Sequence, residues 1–360
     1  MRIAQVAPLW EPVPPKKYGG TELIVGLLTD ELVRRGHEVT LFASGDSETA
    51  AKLVPGCEKH LRAMDISIAD CSIHEQMRMS DVFGRADDFD VIHCHTDYQG
   101  LPYAPLVSTP VVHTIHGGFN SDRANAMFQA HKDQNFVGIS DSHCRLGEGL
   151  NFVATVYNAI ATESFDFYPQ SNKEPYLAFL GRLSADKGPQ YAIEIAKRTG
   201  IKLKMAGKID DSNEAFFKEQ VEPHIDGKLI EFLGEADHAF KNKLMGGALG
   251  TMFTIDWEEP FGLVMIESMA CGTPVIATRR GSVPEIVKDG ETGFICDSID
   301  ECVAAVDKLS SLSRQGCRDY VESRFSTPRM VDDYEAVYRQ LVTERFRQNG
   351  HTYSELAFAK

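Results

Sequence analysis

Short apolar runs rich in β-branched residues alternate with helix-period segments along almost the whole chain. Val-Ile-His-Cys at 91–94 and Val-Val-His-Thr at 111–114 typify the first half, and Tyr-Leu-Ala-Phe-Leu at 176–180 the second. Strands are expected at 2–6, 38–43, 90–94, 110–115, 135–139 and 152–157, then at 176–181, 202–206, 229–233, 250–255, 274–278 and 292–296. Helical spacing falls between most of them, for example over 20–35, 187–199 and 261–271. Strand–helix–strand repetition of this kind is the pattern of parallel sheets covered on both faces, an α/β fold.

The alternation breaks once. Residues 158–175 mix polar, aromatic and proline residues with neither period, and a fresh strand starts at Tyr176. A chain of 360 residues suits two cores rather than one. The expected organisation is two doubly wound, Rossmann-like domains, 1–160 and 161–327, with a helix over 328–348 packing across both and a frayed tail from 349. In such folds ligands bind beyond the carboxyl ends of the strands. Two domains facing each other would place those ends on a cleft, so chemistry is sought in the loops that follow strands.

Composition removes several classes of function. Hydrophobic residues make up 43% and charged residues 25%, a globular profile. No apolar run approaches the ~20 residues that a membrane-spanning helix needs. The opening Met-Arg-Ile-Ala-Gln-Val-Ala-Pro reads as a strand and a turn rather than a signal peptide, so the cytoplasm is the expected compartment. A net charge of −15 argues against nucleic acid as a partner and leaves at most peripheral membrane contact, through a local patch such as Lys16-Lys17. The eight cysteines contain no C-x-x-C pair, and several lie in apolar patterns, so free buried thiols are expected rather than disulfides or a zinc site.

The strongest local signal is Glu258-Glu259-Pro-Phe-Gly-Leu-Val-Met-Ile-Glu267, followed by Ser-Met-Ala-Cys-Gly272. Pro260 and Gly272 bracket a helix of about three turns that is apolar nearly all round. Glu267 is its one charge, and a buried carboxylate needs a partner. A ligand with paired hydroxyls, such as a ribose, would serve; so would an internal ion pair or a cap on a neighbouring loop. Glu259 stands on the loop before that helix, where a cleft residue belongs, or where it complements the helix dipole. Gly181-Arg182 and Asp186-Lys187-Gly188 follow the first strand of the second domain, and an Arg and a Lys there suit a diphosphate or a solvated surface loop equally. In the first domain Gly19-Gly20 open a helix, where bare N–H groups attract anions. His116, released by Gly117-Gly118, ends a strand, where it can reach into a cleft or stand as a capped core histidine. His93 and His95 share one strand face without a third metal ligand, which favours packing or acceptor contact over metal. Asp88-Phe-Asp90 spells a metal-binding string, but it precedes a strand and so lies on the wrong side.

Taken together these pieces resemble the retaining glycosyltransferases of family 4, whose two-domain fold is called GT-B. The matching residues are Gly19-Gly20, His116, Gly181-Arg182, Asp186-Lys187-Gly188, Phe232-Leu-Gly-Glu235, Glu259-Pro-Phe-Gly262, Glu267, Ala270-Cys-Gly-Thr-Pro-Val and Pro284-Glu-Ile-Val. The resemblance implies that Glu267 binds the donor ribose, Glu259 contacts the transferred sugar, and Arg182 and Lys187 neutralise the diphosphate. It assigns Gly19 and Gly20 to the diphosphate or sugar and sets His116 beside the sugar. It further implies that Gly234 and Glu235 hold the base, while Phe261, Gly262 and Leu263 offer N–H groups to phosphate and sugar. UDP is the implied carrier, glucose the implied hexose, and a saccharide-like acceptor the implied partner, in cell-envelope or exopolysaccharide assembly. First-domain loops around Trp10, Tyr18, His95 to Tyr98 and Phe119-Asn120 would bind that acceptor. No metal or other cofactor is expected. Arg279 and Arg280 depart from the family pattern and add positive charge near the expected donor pocket. A nicotinamide dehydrogenase is disfavoured because the first strand lacks a following G-x-G-x-x-G. A non-catalytic sugar-nucleotide-binding subunit and an epimerase on the same fold remain alternatives.

Overall fold

The computed structural model describes residues 1–16 and 19–348; Lys17, Tyr18 and the expected tail beyond 348 lie outside the described residues. The chain divides into two compact units, Met1–Asn158 with the segment from Thr327 onward, and Ala159–Ser326. Segment 159–175, which has no sequence period, belongs to the second unit. Phe165 is buried there, and Ile160 forms an isolated parallel bridge with Ser326.

In the first unit seven strands form one parallel sheet: Arg2–Val6 (β1), Glu38–Ser44 (β2), Lys52–Cys57 (β3), Val91–Cys94 (β4), Val111–Thr114 (β5), Asn135–Gly138 (β6) and Phe152–Thr155 (β7). Their order is β3-β2-β1-β4-β5-β6-β7. The helices are Gly20–Arg34 (α1), Ile68–Gly84 (α2), Asp122–Ala130 (α3) and Asp141–Leu146 (α4). Ala4, Val6, Phe42, Ile92 and Cys94 pack a core against α2. One strand, β3, is absent from the sequence reading. It contains Pro55 and Gly56, which weaken a strand pattern and are tolerated because β3 is an edge strand.

The second unit holds Tyr176–Leu180 (β8), Lys202–Ala206 (β9), Ile230–Phe232 (β10), Gly250–Phe253 (β11), Val275–Thr278 (β12) and Gly293–Cys296 (β13), in the parallel order β10-β9-β8-β11-β12-β13. Its helices are Pro189–Thr199 (α5), Glu214–Phe216 (α6), His238–Gly246 (α7), Leu263–Ala270 (α8), Val283–Ile286 (α9), Ile299–Val306 (α10) and Arg314–Arg324 (α11). Leu177, Phe179, Leu203, Met205, Met252 and Ile276 form the centre of its core. Six central apolar side chains at about 1.5–3 kcal/mol each are the largest favourable contribution to such a sheet.

The last described helix, Thr327–Gln348 (α12), is part of the first unit. Tyr334 and Tyr338 are fully buried against that unit. Arg35 Nη1 lies 2.6 Å from Asp332, and His37 Nε2 lies 2.7 Å from Glu335. All eight cysteines are free thiols. Among the described residues no helix is long and apolar enough to cross a membrane.

Candidate active site

Strand order reverses direction between β8 and β11 in the second unit and between β1 and β4 in the first. At such a point the two following loops leave the sheet on opposite faces and open a crevice. In the second unit those loops carry Gly181 to Gly188 and Thr254 to Gly262, so the topology brings together residues more than seventy positions apart.

Backbone contacts lock the two loops. Asp256 N–H donates to Asp186 O at 2.8 Å, and Thr254 Oγ1 donates to Gly188 O at 2.8 Å. Gly188 has φ 71°, and a Cβ built on it would lie 1.8 Å from the Thr254 carbonyl oxygen. A side chain there would force the loops apart. Gly281 plays the same part behind the second loop, since its Cβ would lie 2.4 Å from the Glu259 nitrogen. Ser282 N–H donates to Glu259 O at 3.0 Å, and Ser282 Oγ donates to Phe261 O at 2.7 Å.

This clamp puts Lys187 Nζ 2.5 Å from Glu259 Oε2. Trp257 Nε1–H donates to the same oxygen at 3.1 Å, and the Lys187 ammonium lies 4.6 Å from the Trp257 ring centroid. Trp257 was missed from the sequence, although a tryptophan directly before Glu258-Glu259 was a readable signal. Arg182 is held more loosely, at 3.4 Å from Asp186 and 3.9 Å from Asp210, and its Nε is buried without a hydrogen-bond partner. An unsatisfied buried donor costs about 1–3 kcal/mol until an acceptor reaches it.

Helix α8 is buried from Met265 to Ala270, as its apolar circumference requires. Its amino end starts at Gly262 with φ 82°, and no side chain caps it, so Leu263 follows a bare helix start. Its carboxyl end is closed by Arg318 Nη1, which donates to Ala270 O at 2.8 Å. Glu267 is 4% exposed and pairs with Lys241 on α7. Of the partners the sequence left open, the ion pair is therefore present. It takes one of the carboxylate's roughly four lone-pair sites, so acceptor capacity remains for hydroxyls. Lys241 carried no sequence signal that set it apart from Lys243. Gly234, at φ 75°, and the exposed Glu235 follow the end of β10. Arg279 and Arg280 meet Asp297 at 2.7 Å and Asp256 at 3.4 Å, so local carboxylates balance their extra charge.

In the first unit Gly19 precedes α1 with φ 143° and Gly20 is its first residue. Glu22, two residues on, is 5% exposed, and burial pushes its carboxyl up to about 7. It too was missed from the sequence. His116 sits on the loop after β5. Asp97 is on the loop after β4 with φ 49°; burial raises its carboxyl above the ordinary value, and the nearby backbone N–H groups of Gly117 and His116 oppose that shift. His143 Nε2 lies 2.9 Å from Gly117 O and braces the same turn. His116 Nε2 is 2.9 Å from His95 Nδ1. Burial drives His93 and His95 well below the ordinary imidazole value and brings His116 down to about 3, with neighbouring imidazoles adding to the effect. His93 and His95 are packed ring on ring at 3.8 Å between centroids. Among the described residues no group of three or more His, Cys, Asp or Glu side chains is placed to hold a metal. Asp90 of the D-x-D string bonds Arg2 at the amino ends of β4 and β1, at 2.8 Å. Trp10 and Tyr98 are exposed, while Phe119 packs on Phe128 and His143.

The family model described as Glycosyltransferase Family 4 matches residues 18–138, and that described as Glycosyl transferases group 1 matches 161–323. The chain is a family 4 glycosyltransferase of the GT-B type. Among its relatives is the N-acetyl-alpha-D-glucosaminyl L-malate synthase of Bacillus anthracis, 24% identical over 91% of this chain and 95% of that protein. Sucrose-phosphate synthase from Thermosynechococcus elongatus shares the fold with a TM-score of 0.79 at 18% identity, covering 96% of this chain and all of that one. Anabaena HepE, solved with UDP and glucose, gives 0.74 at 16% identity over 94% of this chain and all of that one.

Proposed function

We propose that the enzyme transfers a hexose, with glucose the leading choice, from a UDP-linked donor to a saccharide-like hydroxyl, with retention and without a metal. The observation that carries the reading is the loop pair at the β8/β11 switch point, where the clamp at Gly188 holds Lys187 against Glu259 and the same loop carries Arg182 between Asp186 and Asp210. Breaking the anomeric bond puts negative charge on the departing diphosphate. Fixed cations stabilise that charge with no reorganisation at the moment of reaction. Arg182 and Lys187 take this role, helped by N–H groups of Phe261, Gly262 and Leu263 where α8 begins without a side-chain cap. Glu267 accepts the ribose hydroxyls, Gly234 and Glu235 border the base, and Glu259 accepts hydroxyls of the sugar once Lys187 turns to phosphate. Gly19, Gly20 and His116 serve the diphosphate and sugar from the first unit. The acceptor hydroxyl attacks the face the phosphate leaves, and its proton passes to that phosphate. The likeness to HepE, solved with UDP and glucose, supports the choice of donor. We place the reaction in the cytoplasm, at a step of cell-envelope or exopolysaccharide assembly, with no contact to membrane beyond the peripheral.

The test is a donor screen by UDP or GDP release in excess chelator, followed by anomeric analysis of the product. Turnover of UDP-glucose to an α-linked product is expected. Strict dependence on a divalent ion, or a β-linked product, would overturn the mechanism. Binding without any release would turn the reading to a non-catalytic subunit.

A further inference from the structure

Seven side chains of the first unit form one continuous hydrogen-bonded relay, with the buried amide of Gln5 at its centre. Gln5 Oε1 lies 2.9 Å from His95 Nε2, and Gln5 Nε2 lies 2.9 Å from the Tyr338 hydroxyl. On one side His95 Nδ1 is 2.9 Å from His116 Nε2. On the other, the Tyr338 hydroxyl is 2.6 Å from His93 Nδ1. His93 Nε2 is 2.7 Å from Thr114 Oγ1, which is 3.1 Å from the Tyr334 hydroxyl.

Each link needs one donor and one acceptor, and a neutral imidazole carries one of each. An amide oxygen only accepts, so His95 carries its proton on Nε2 and offers Nδ1 as an acceptor. His116 must then donate from Nε2, which leaves the lone pair on its Nδ1. In the other direction the amide N–H donates to Tyr338, Tyr338 to His93 Nδ1, His93 Nε2 to Thr114, and Thr114 to Tyr334. Every link is satisfied, and all the directions follow from which end of the Gln5 amide faces His95. Extra protons do not loosen this logic, because burial keeps these imidazoles neutral.

We propose that Gln5 is a positioning residue of the transferase: the direction of its amide fixes His116 as the Nε2–H tautomer, so that Nδ1 accepts a hydroxyl hydrogen from the bound sugar. The second half rests on the assignment of His116 to the sugar. Tyr338 on α12 holds the far end of the amide, so the carboxyl-terminal helix takes part in setting the tautomer.

The test is nitrogen NMR of the full chain labelled with ¹⁵N-histidine, without donor, with His116 assigned by signals lost in His116→Gln. Pyrrole-type and pyridine-type nitrogens resonate far apart, so the tautomer is read directly. Wild type is expected to show the proton on Nε2, and Gln5→Leu a mixture of both tautomers. Gln5→Glu, measured at a pH where His95 stays neutral, accepts from His95 as the amide oxygen does and is expected to retain the wild-type form. A wild-type proton on His116 Nδ1 overturns the proposal, as does an unmixed tautomer in Gln5→Leu. Should Gln5→Leu fail to fold, wild type and Gln5→Glu still decide the matter. With UDP-glucose as probe, kcat is expected to fall about tenfold in Gln5→Leu, the size of one lost oriented hydrogen bond, and to recover in Gln5→Glu. Undiminished kcat with a mixed tautomer breaks the link to the reaction. An inactive wild type with the expected tautomer would count against the donor assignment and leave the role of Gln5 in the relay standing.

Discussion

The two switch points of this glycosyltransferase solve different electrostatic problems. In the second unit the crevice is charged: Lys187 faces Glu259, Arg182 lies between two aspartates, and Lys241 holds Glu267. In the first unit one buried ion pair, Arg78 with Glu75, reaches Ala7 and Gln99 on the loops after β1 and β4, and elsewhere burial disfavours charge. Burial holds His93, His95, His113, His116 and His143 below the ordinary imidazole value and raises Glu22 and Asp97. A diphosphate calls for fixed charge, whereas a sugar is recognised by directional bonds between neutral groups, where a stray charge would be costly to bury.

The contrast breaks most readily with acid. His113, His116 and His143 titrate at about 4, 3 and 4 in the folded protein against 6.5 as the ordinary value. A group whose folded pKa is depressed in this way leaves stability intact above the ordinary value. Stability then falls as pH drops towards the folded one, because the unfolded chain takes up the protons. At pH 5.5 the three together should cost roughly 4 kcal/mol relative to pH 8. Hydrogen exchange at the two pH values should show β4, β5 and α12 losing protection while β8 and β11 keep theirs; equal loss in both units would remove the distinction.

The charged side is tested by Lys187→Ala or Arg182→Ala. Each should lower turnover by roughly a hundredfold or more, the scale of about 3–4 kcal/mol for a lost transition-state donor. Near-normal rates in both variants would refute the assignment of those cations. Glu267→Ala should weaken UDP binding roughly tenfold to a hundredfold, since bonds to a charged group are worth about 1.5–3 kcal/mol. Calorimetry would read it, and unchanged affinity would reduce Glu267 to a partner of Lys241. The smallest effect is expected of Trp257→Phe, which removes one N–H from Glu259: about 1 kcal/mol, or roughly fivefold in kcat/KM. No change there would mean that the Lys187 pair alone orients Glu259.

How far the sequence led depends on the range of the interaction. Strand periodicity and glycine–proline punctuation are local, so the alternating sheets were legible, and so was α8 with its solitary acid. The edge strand β3 was hidden by Pro55 and Gly56, which an edge tolerates and a central strand does not. Pairings were out of reach wherever they depend on strand order. Lys187 meets Glu259 across 72 residues only because β8 lies beside β11. Lys241 could not be told from its neighbours for the same reason. Gln5 was a different kind of omission: a polar residue within the apolar run of β1 was visible, and a buried amide there had to find partners.

The account stands on the charged crevice binding the nucleotide diphosphate without a metal. Calorimetry with UDP in metal-free buffer tests this directly, on wild type, on the double variant Arg182→Ala/Lys187→Ala, and on His116→Gln. Saturable one-to-one binding is predicted for wild type and for His116→Gln, and loss of binding for the double variant. Binding that needs a divalent ion, or that survives removal of both cations, would contradict it.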